Sequence, residues 1–261
     1  MFSINQLIDN SMNNSDYTCV KKEKYVDWVN RVVEFLENTA PYIGEGGRAC
    51  SVMQSRPVLE KEVDVVFLGC NADEDYGFCG IDYDRFMKGN KYFYNNEYHQ
   101  NNDAMLYNPW RIWYKPYYAL SKALNDSTPM EDGHYVFMNA IYFGTKTLQQ
   151  MDQLPKFSDV KNICLDFTRE VIIEIFKPKL IVCFSVNNCF DVLNTKYGFS
   201  NTETTKPHHP YIDYNCSKSV KSATWNGIRV IGIPHPSGRI RNDDWGCTGK
   251  YILQNYHDVC K

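Results

Sequence analysis

Residues 63–69 read VDVVFLG, a short β-branched and aromatic run that stops at Gly69. After Asp64 it has no polar position, so alternation between a wet and a dry face is absent. That pattern fits a strand buried on both faces, as in a parallel sheet. Three more runs share it: YVFMNA at 135–140, KLIVCFS at 179–185 and IRVIGIP at 228–234. Helical spacing fills much of the chain around them. Tyr25, Trp28, Val29, Val32, Val33 and Leu36 recur at three- and four-residue steps and predict a helix that ends before Pro41. Val160, Ile163, Cys164, Phe167, Val171 and Ile175 do the same up to Pro178. RIWYKPYYALSKAL at 111–124, VNNCFDVL at 186–193 and YILQNYHDVC at 251–260 read as further helices. Residues 70–110 and 200–223 are polar and read as loops. Strands alternating with helices imply a three-layer α/β/α fold around a central four-stranded parallel sheet. The expected organisation is one domain over 1–261, with an N-terminal helical extension over about 1–60.

The 261 residues include 19 Tyr, 14 Phe and 5 Trp, and 43% are apolar, which is ample for a core and excludes a disordered chain. Lys and Arg number 28 against 31 Asp and Glu, a net charge of −3. Coating of nucleic acid by bulk charge is therefore excluded, while a local basic patch is not. No apolar run is long enough to span a bilayer, and the opening MFSINQLIDNSMNNS has no signal-peptide pattern. A cytoplasmic monomer with no membrane partner is expected. The ten cysteines contain no C-x-x-C pair and read as free thiols, with Cys164, Cys183 and Cys189 as small buried hydrophobes.

In a parallel α/β sheet the functional crevice lies outside the carboxyl ends of the strands. The four strands are followed by CNADEDYG, NAIYF, SVNN and HPSGR. In that order, these exits resemble the motifs of the uracil-DNA glycosylase superfamily. LGCNADEDYG is similar to its Gly-x-Asn first motif, VFMNA to the strand bearing a base-reading Asn, and GIPHPSGR to its His-Pro-Ser loop. KPKLIVCFS is similar to the strand before that loop. The match runs over residues 63–240 and rests on about twenty positions. It implies a DNA glycosylase, without cofactor or metal, that hydrolyses the N-glycosidic bond of a flipped-out pyrimidine with water as nucleophile. No Lys stands at the strand ends, so a monofunctional enzyme is expected. Ala72 and Asp73 depart from the family's Pro-Gly or Pro-Tyr. Asp73 cannot form the apolar wall that a Tyr raises against a 5-methyl group. This opens the pocket to 5-substituted bases, including modified phage DNA, and points to a role in base excision or phage defence.

Base excision needs charge stabilisation on the departing base, a placed water and a pocket for the flipped base. His235, between Pro234 and Pro236, suits donation to a developing anion on a pyrimidine O2, an effect worth roughly 3–4 kcal/mol in a dry site. Its alternative is a strand-end His bonded to a carbonyl. Asn71 is the candidate to orient the water, with Asp73 or Glu74 as the carboxylate; an Asx-turn is the other reading. Asn139 offers a donor and an acceptor to a base edge, or else satisfies buried backbone. Tyr76 and Phe78 are candidates to stack on the base. Ser237, Gly238, Arg239, Ile240 and Arg241 suit DNA contact, with Arg on phosphate and Ile as a wedge, and Lys206, Lys218 and Lys221 extend the patch.

Other chemistries also have residues to offer. Asp73, Glu74 and Asp75 with Asp243 and Asp244 would suit a metal-dependent phosphodiesterase. A non-catalytic nucleic-acid reader on the same fold is a third reading. His208, His209 and Cys216 form at most a weak zinc pattern and fit a surface loop better.

Overall fold

The computed structural model describes residues 16–43, 50–71, 83–89, 134–144, 153, 156–209, 211–236, 238 and 241–260. The four apolar runs are strands: β1 (Val65–Asn71), β2 (Tyr135–Ile141), β3 (Leu180–Phe184) and β6 (Ile228–Ile233). They pair in parallel, β2 with β1, β1 with β3 and β3 with β6. Two further strands, β4 (Ser200–Thr205) and β5 (Val220–Trp225), lie where the polar sequence predicts loop, and they add antiparallel at the β6 edge. The sheet is thus six-stranded and mostly parallel, in the order β2-β1-β3-β6-β5-β4, and not the four-stranded sheet that the apolar runs alone predict. The physical reason is composition: β4 is SNTETT, exposed at every position, so it carries no apolar signal.

The opposite edge is covered as well. Residues 50–55 run antiparallel along β2 through bridges Cys50–Phe143 and Met53–Met138. The Ser51 and Gln54 amides donate to the Tyr142 and Phe137 carbonyls, and the Phe137 amide donates to Ser55 Oγ at 2.8 Å. An edge whose hydrogen-bonding groups are occupied resists pairing with another chain.

Alternation along the strands divides the core in two. Val66, Leu68, Cys70, Val136, Met138 and Cys183 face one side, under helices α1 (Asp16–Ile43), α3 (Phe157–Glu170) and α4 (Asp191–Tyr197). The α1 residues Tyr25, Trp28, Val29, Val32 and Leu36 are buried in this same cluster, so the helix is part of the main core. It runs two residues beyond Pro41, past its expected end. Trp28 Nε1 donates to the Phe167 carbonyl at 2.9 Å, and the Tyr25 hydroxyl to that of Phe86 at 2.6 Å on the short helix α2 (Tyr83–Lys88). Val65, Phe67, Phe137, Val182, Phe184, Ile231 and Ile233 face the other side, against Ile252 and Tyr256 of α5 (Asn242–Cys260). That helix begins nine residues before the stretch expected to be helical. Helices therefore cover both faces. The expected helix at 111–124 lies outside the described residues.

Two wide π-helical turns join helices to strands. One, Val171–Phe176, extends α3 and ends at Lys177 in the left-handed region (φ 48°), immediately before Pro178. The other, Val186–Phe190, links β3 to α4. Among the described residues no helix is long and apolar enough to cross a membrane.

Candidate active site

The register fixes how the strand exits stand to one another. Leu68 pairs with Cys183, and Cys183 with Gly232, so Asn71, at the end of β1, and His235, two residues past β6, each stand three residues beyond one shared row. Both lie at the carboxyl edge. Asn71 and His235 leave strands separated only by β3, a span of roughly 10 Å at about 4.8 Å per strand step. Asn139 on β2 pairs with Gly69, two residues before Asn71, which puts both Asn positions on one face of the sheet. Below them on that face Phe137, Phe184 and Phe67 form an aromatic floor, with Phe137–Phe184 and Phe67–Phe184 centroids at 5.3 and 5.7 Å.

Asn139 is buried and held. Its Nδ2 donates to the Ser51 carbonyl at 3.0 Å and its backbone amide to the Val52 carbonyl at 2.8 Å. Gly69 makes this possible, because a Cβ there would stand 2.5 Å from Asn139 Oδ1. One amide hydrogen of Asn139 is thus used to satisfy backbone, the second of its two sequence readings. A base-reading role would fall to the other hydrogen and to Oδ1. Ser51 also accepts from Gln54 Nε2 at 2.5 Å and from the buried Arg85 at 3.4 Å, a polar knot that no motif in the sequence announces.

His235 follows β6 and is half-buried, between half-buried Pro234 and buried Pro236. Its carbonyl accepts from the Gly238 amide at 2.9 Å, closing a tight turn. Burial lowers the imidazole pKa below its ordinary 6.5, so the ring is neutral at pH 7 and carries a single N–H. Ser185, between β3 and the second π-helical turn, has φ 104° and ψ 123°, unusual for a residue with a side chain. Its Oγ accepts from the Asn188 amide at 3.1 Å and its own amide donates to the Ile233 carbonyl at 3.0 Å. FSVNN gives no sign of this geometry. The Cys70 thiol donates to the Asn188 carbonyl at 3.0 Å, and Cys189 bonds the Leu68 carbonyl at 3.5 Å, so β1 and this turn are tied together.

Asp73, Glu74, Asp75, Tyr76 and Phe78 lie outside the described residues, as do Ser237, Arg239 and Ile240. Gly238 and Arg241 are exposed. Lys221 is tied to Asp191 at 2.7 and 2.9 Å, so it belongs to an ion pair with α4 and does not extend a basic patch. Asp244 is buried and braces a loop. Its Oδ1 accepts from Tyr214 OH at 3.0 Å and from the Ser217 amide at 2.6 Å, and its Oδ2 from Ser217 Oγ at 2.6 Å. Burial alone would raise its pKa, but the bonds from Ser217, Cys216 and Tyr214 outweigh that and hold it below the ordinary 3.8. This commitment leaves Asp244 poorly suited to a metal. Among the described residues no three His, Cys, Asp or Glu side chains converge as a metal cluster. His208 Nε2 lies 3.3 Å from Asp213 instead. A recess lined by Glu23, Asp27, Glu170 and Glu174 opens beside α1 and the end of α3, away from the carboxyl edge.

The fold defines a mixed α/β protein in which Asn71, Ser185 and His235 end or closely follow parallel strands at their carboxyl edge. No family model matches the chain, and no curated protein is significantly similar to it.

Proposed function

We propose that the chain is a divergent member of the uracil-DNA glycosylase superfamily that hydrolyses the N-glycosidic bond of a flipped-out pyrimidine. The observation that carries the reading is that Asn71 and His235 each stand three residues beyond the shared row Leu68–Cys183–Gly232, on strands with β3 between them, with Asn139 on the same face as Asn71. In this mechanism the neutral His235 donates its N–H to pyrimidine O2 as negative charge develops there. Asn71 orients the attacking water, and Asn139 reads the base edge with the groups that Ser51 does not use. Water attacks C1′ as the C1′–N1 bond breaks; the base leaves with the bonding pair, and the water proton passes to solvent or to the Asp73–Glu74 carboxylates. Asp73, in place of an aromatic wall, favours 5-substituted pyrimidines over uracil.

Mass spectrometry of bases released from unmodified, uracil-containing and 5-modified DNA tests the reading, with and without EDTA. Release that is insensitive to EDTA is expected. Strand cleavage abolished by EDTA, with no free base, would establish the phosphodiesterase alternative instead. Asp73→Tyr should penalise a 5-substituted base far more than uracil; equal losses would remove Asp73 from substrate choice.

A further inference from the structure

We infer that the loop between β4 and β5 is a second DNA-contacting element, in which Tyr211 stacks against duplex flanking the flipped nucleotide. The inference rests on the glycosylase reading for its choice of partner. Thr205 ends β4 opposite Val220 at the start of β5, and Lys221 pairs with Gly232 of β6. The loop at 206–219 therefore rises at the same edge as His235, about two strand steps to its outer side. Tyr211 is 89% exposed and its neighbour Ile212 47%.

A large aromatic held in water on a loop free to fold it away would be unremarkable. Here the loop is held open. The His209 amide donates to the Tyr214 carbonyl at 2.8 Å, and the Cys216 amide to that of Pro207 at 2.9 Å. Asp244, near the start of α5, grips Tyr214 and Ser217. The His209 ring lies against Gly246 so closely that a Cβ there would overlap it. The loop is thus held against the start of α5. Lys206 and Lys218, at the two ends of the same loop, are exposed; of the carboxylates at the loop, Asp213 faces His208 and Asp244 is taken up by Tyr214 and Ser217. An exposed aromatic on a loop that also carries two exposed cations suits a base or end-step of DNA, with phosphate for the cations.

The test is binding of a short fluorescent duplex carrying a central tetrahydrofuran abasic site, by wild type, Tyr211→Ala and Tyr211→Phe. Tyr211→Ala should weaken binding roughly fivefold or more, and Tyr211→Phe should restore it, because the ring and not the hydroxyl does the stacking. Base release at sub-saturating enzyme should fall with the affinity, and Tyr211→Phe should restore both. Wild-type base release with equal affinities for all three proteins would overturn the inference and leave the glycosylase reading standing. Tyr211-dependent binding without release of any base would support the contact and sink the glycosylase reading. A change in sedimentation with unaltered DNA affinity would overturn it in favour of a contact between copies of the chain.

Discussion

His235 combines two properties that can be measured separately. Its half-buried ring has a pKa below 6.5, so the folded state resists a proton that the unfolded chain takes up freely. The unfolded state then binds more protons as pH falls from 6.5 towards the folded value, and stability drops over that window. His235→Gln should flatten this part of the stability–pH curve, measured by urea unfolding between pH 7 and pH 5. The same variant should lower single-turnover base release by about 10²–10³-fold, the loss expected for one preorganised donor. Gly69 makes a different case. Gly69→Ala drives a methyl into Asn139 Oδ1 between two buried strands, and should cost about 1–3 kcal/mol by urea unfolding. A neutral result would mean that the amide can turn away from Ser51 at no cost. The role of Gly69 is not readable from LGCN, where it marks only a strand end; the close approach is made by a residue 70 positions away.

At the scale of elements, β3 and its exit show where local reading succeeds and where it stops. LIVCF is apolar at every position and reads as a buried strand, and the same holds for most of β1, β2 and β6. The turn after β3 depends on strain that no periodicity encodes. Ser185 at φ 104° bears a cost of order 1–3 kcal/mol that its bond from the Asn188 amide partly offsets. Ser185→Ala loses the bond and keeps the strain, whereas Ser185→Gly loses the bond and relieves the strain. The Gly variant should therefore exceed the Ala variant in stability by about 1 kcal/mol, by thermal or urea unfolding; the reverse order would show the backbone there to be unstrained. β4 and the 50–55 segment are illegible in the sequence for another reason. Their pairing partners, not their own side chains, make them strand-like. Asp244 reads in RNDDWG as a carboxylate suited to a metal, and only the returning loop at 214–217 reveals its bracing task.

For the molecule as a whole, the second core depends on one helix. Ile252 of α5 is fully buried against the sheet face that carries Phe67, Val182 and Ile231. Ile252→Ala should cost about 2–5 kcal/mol by urea unfolding, with a transition that stays cooperative because α5 is the only helix among the described residues packed into that face. A cost below about 1 kcal/mol would mean that the layer is filled by other parts of the chain. The cysteines extend this view across every layer. Cys70 and Cys183 lie in central strands, Cys50 at the covered edge, Cys164 in α3, Cys189 in the turn after β3, Cys216 and Cys247 at the braced loop, and all seven are buried. Burial pushes Cys50 and Cys164 up to about 12, so almost none of either is thiolate at about pH 8. Alkylation must therefore wait for each element to open, and the labelling rates form a map of local unfolding distributed through the chain. Among the described cysteines, mass-resolved iodoacetamide labelling should reach the partly exposed Cys19 and Cys260 first, then Cys216, and Cys183 only as fast as the whole sheet comes apart.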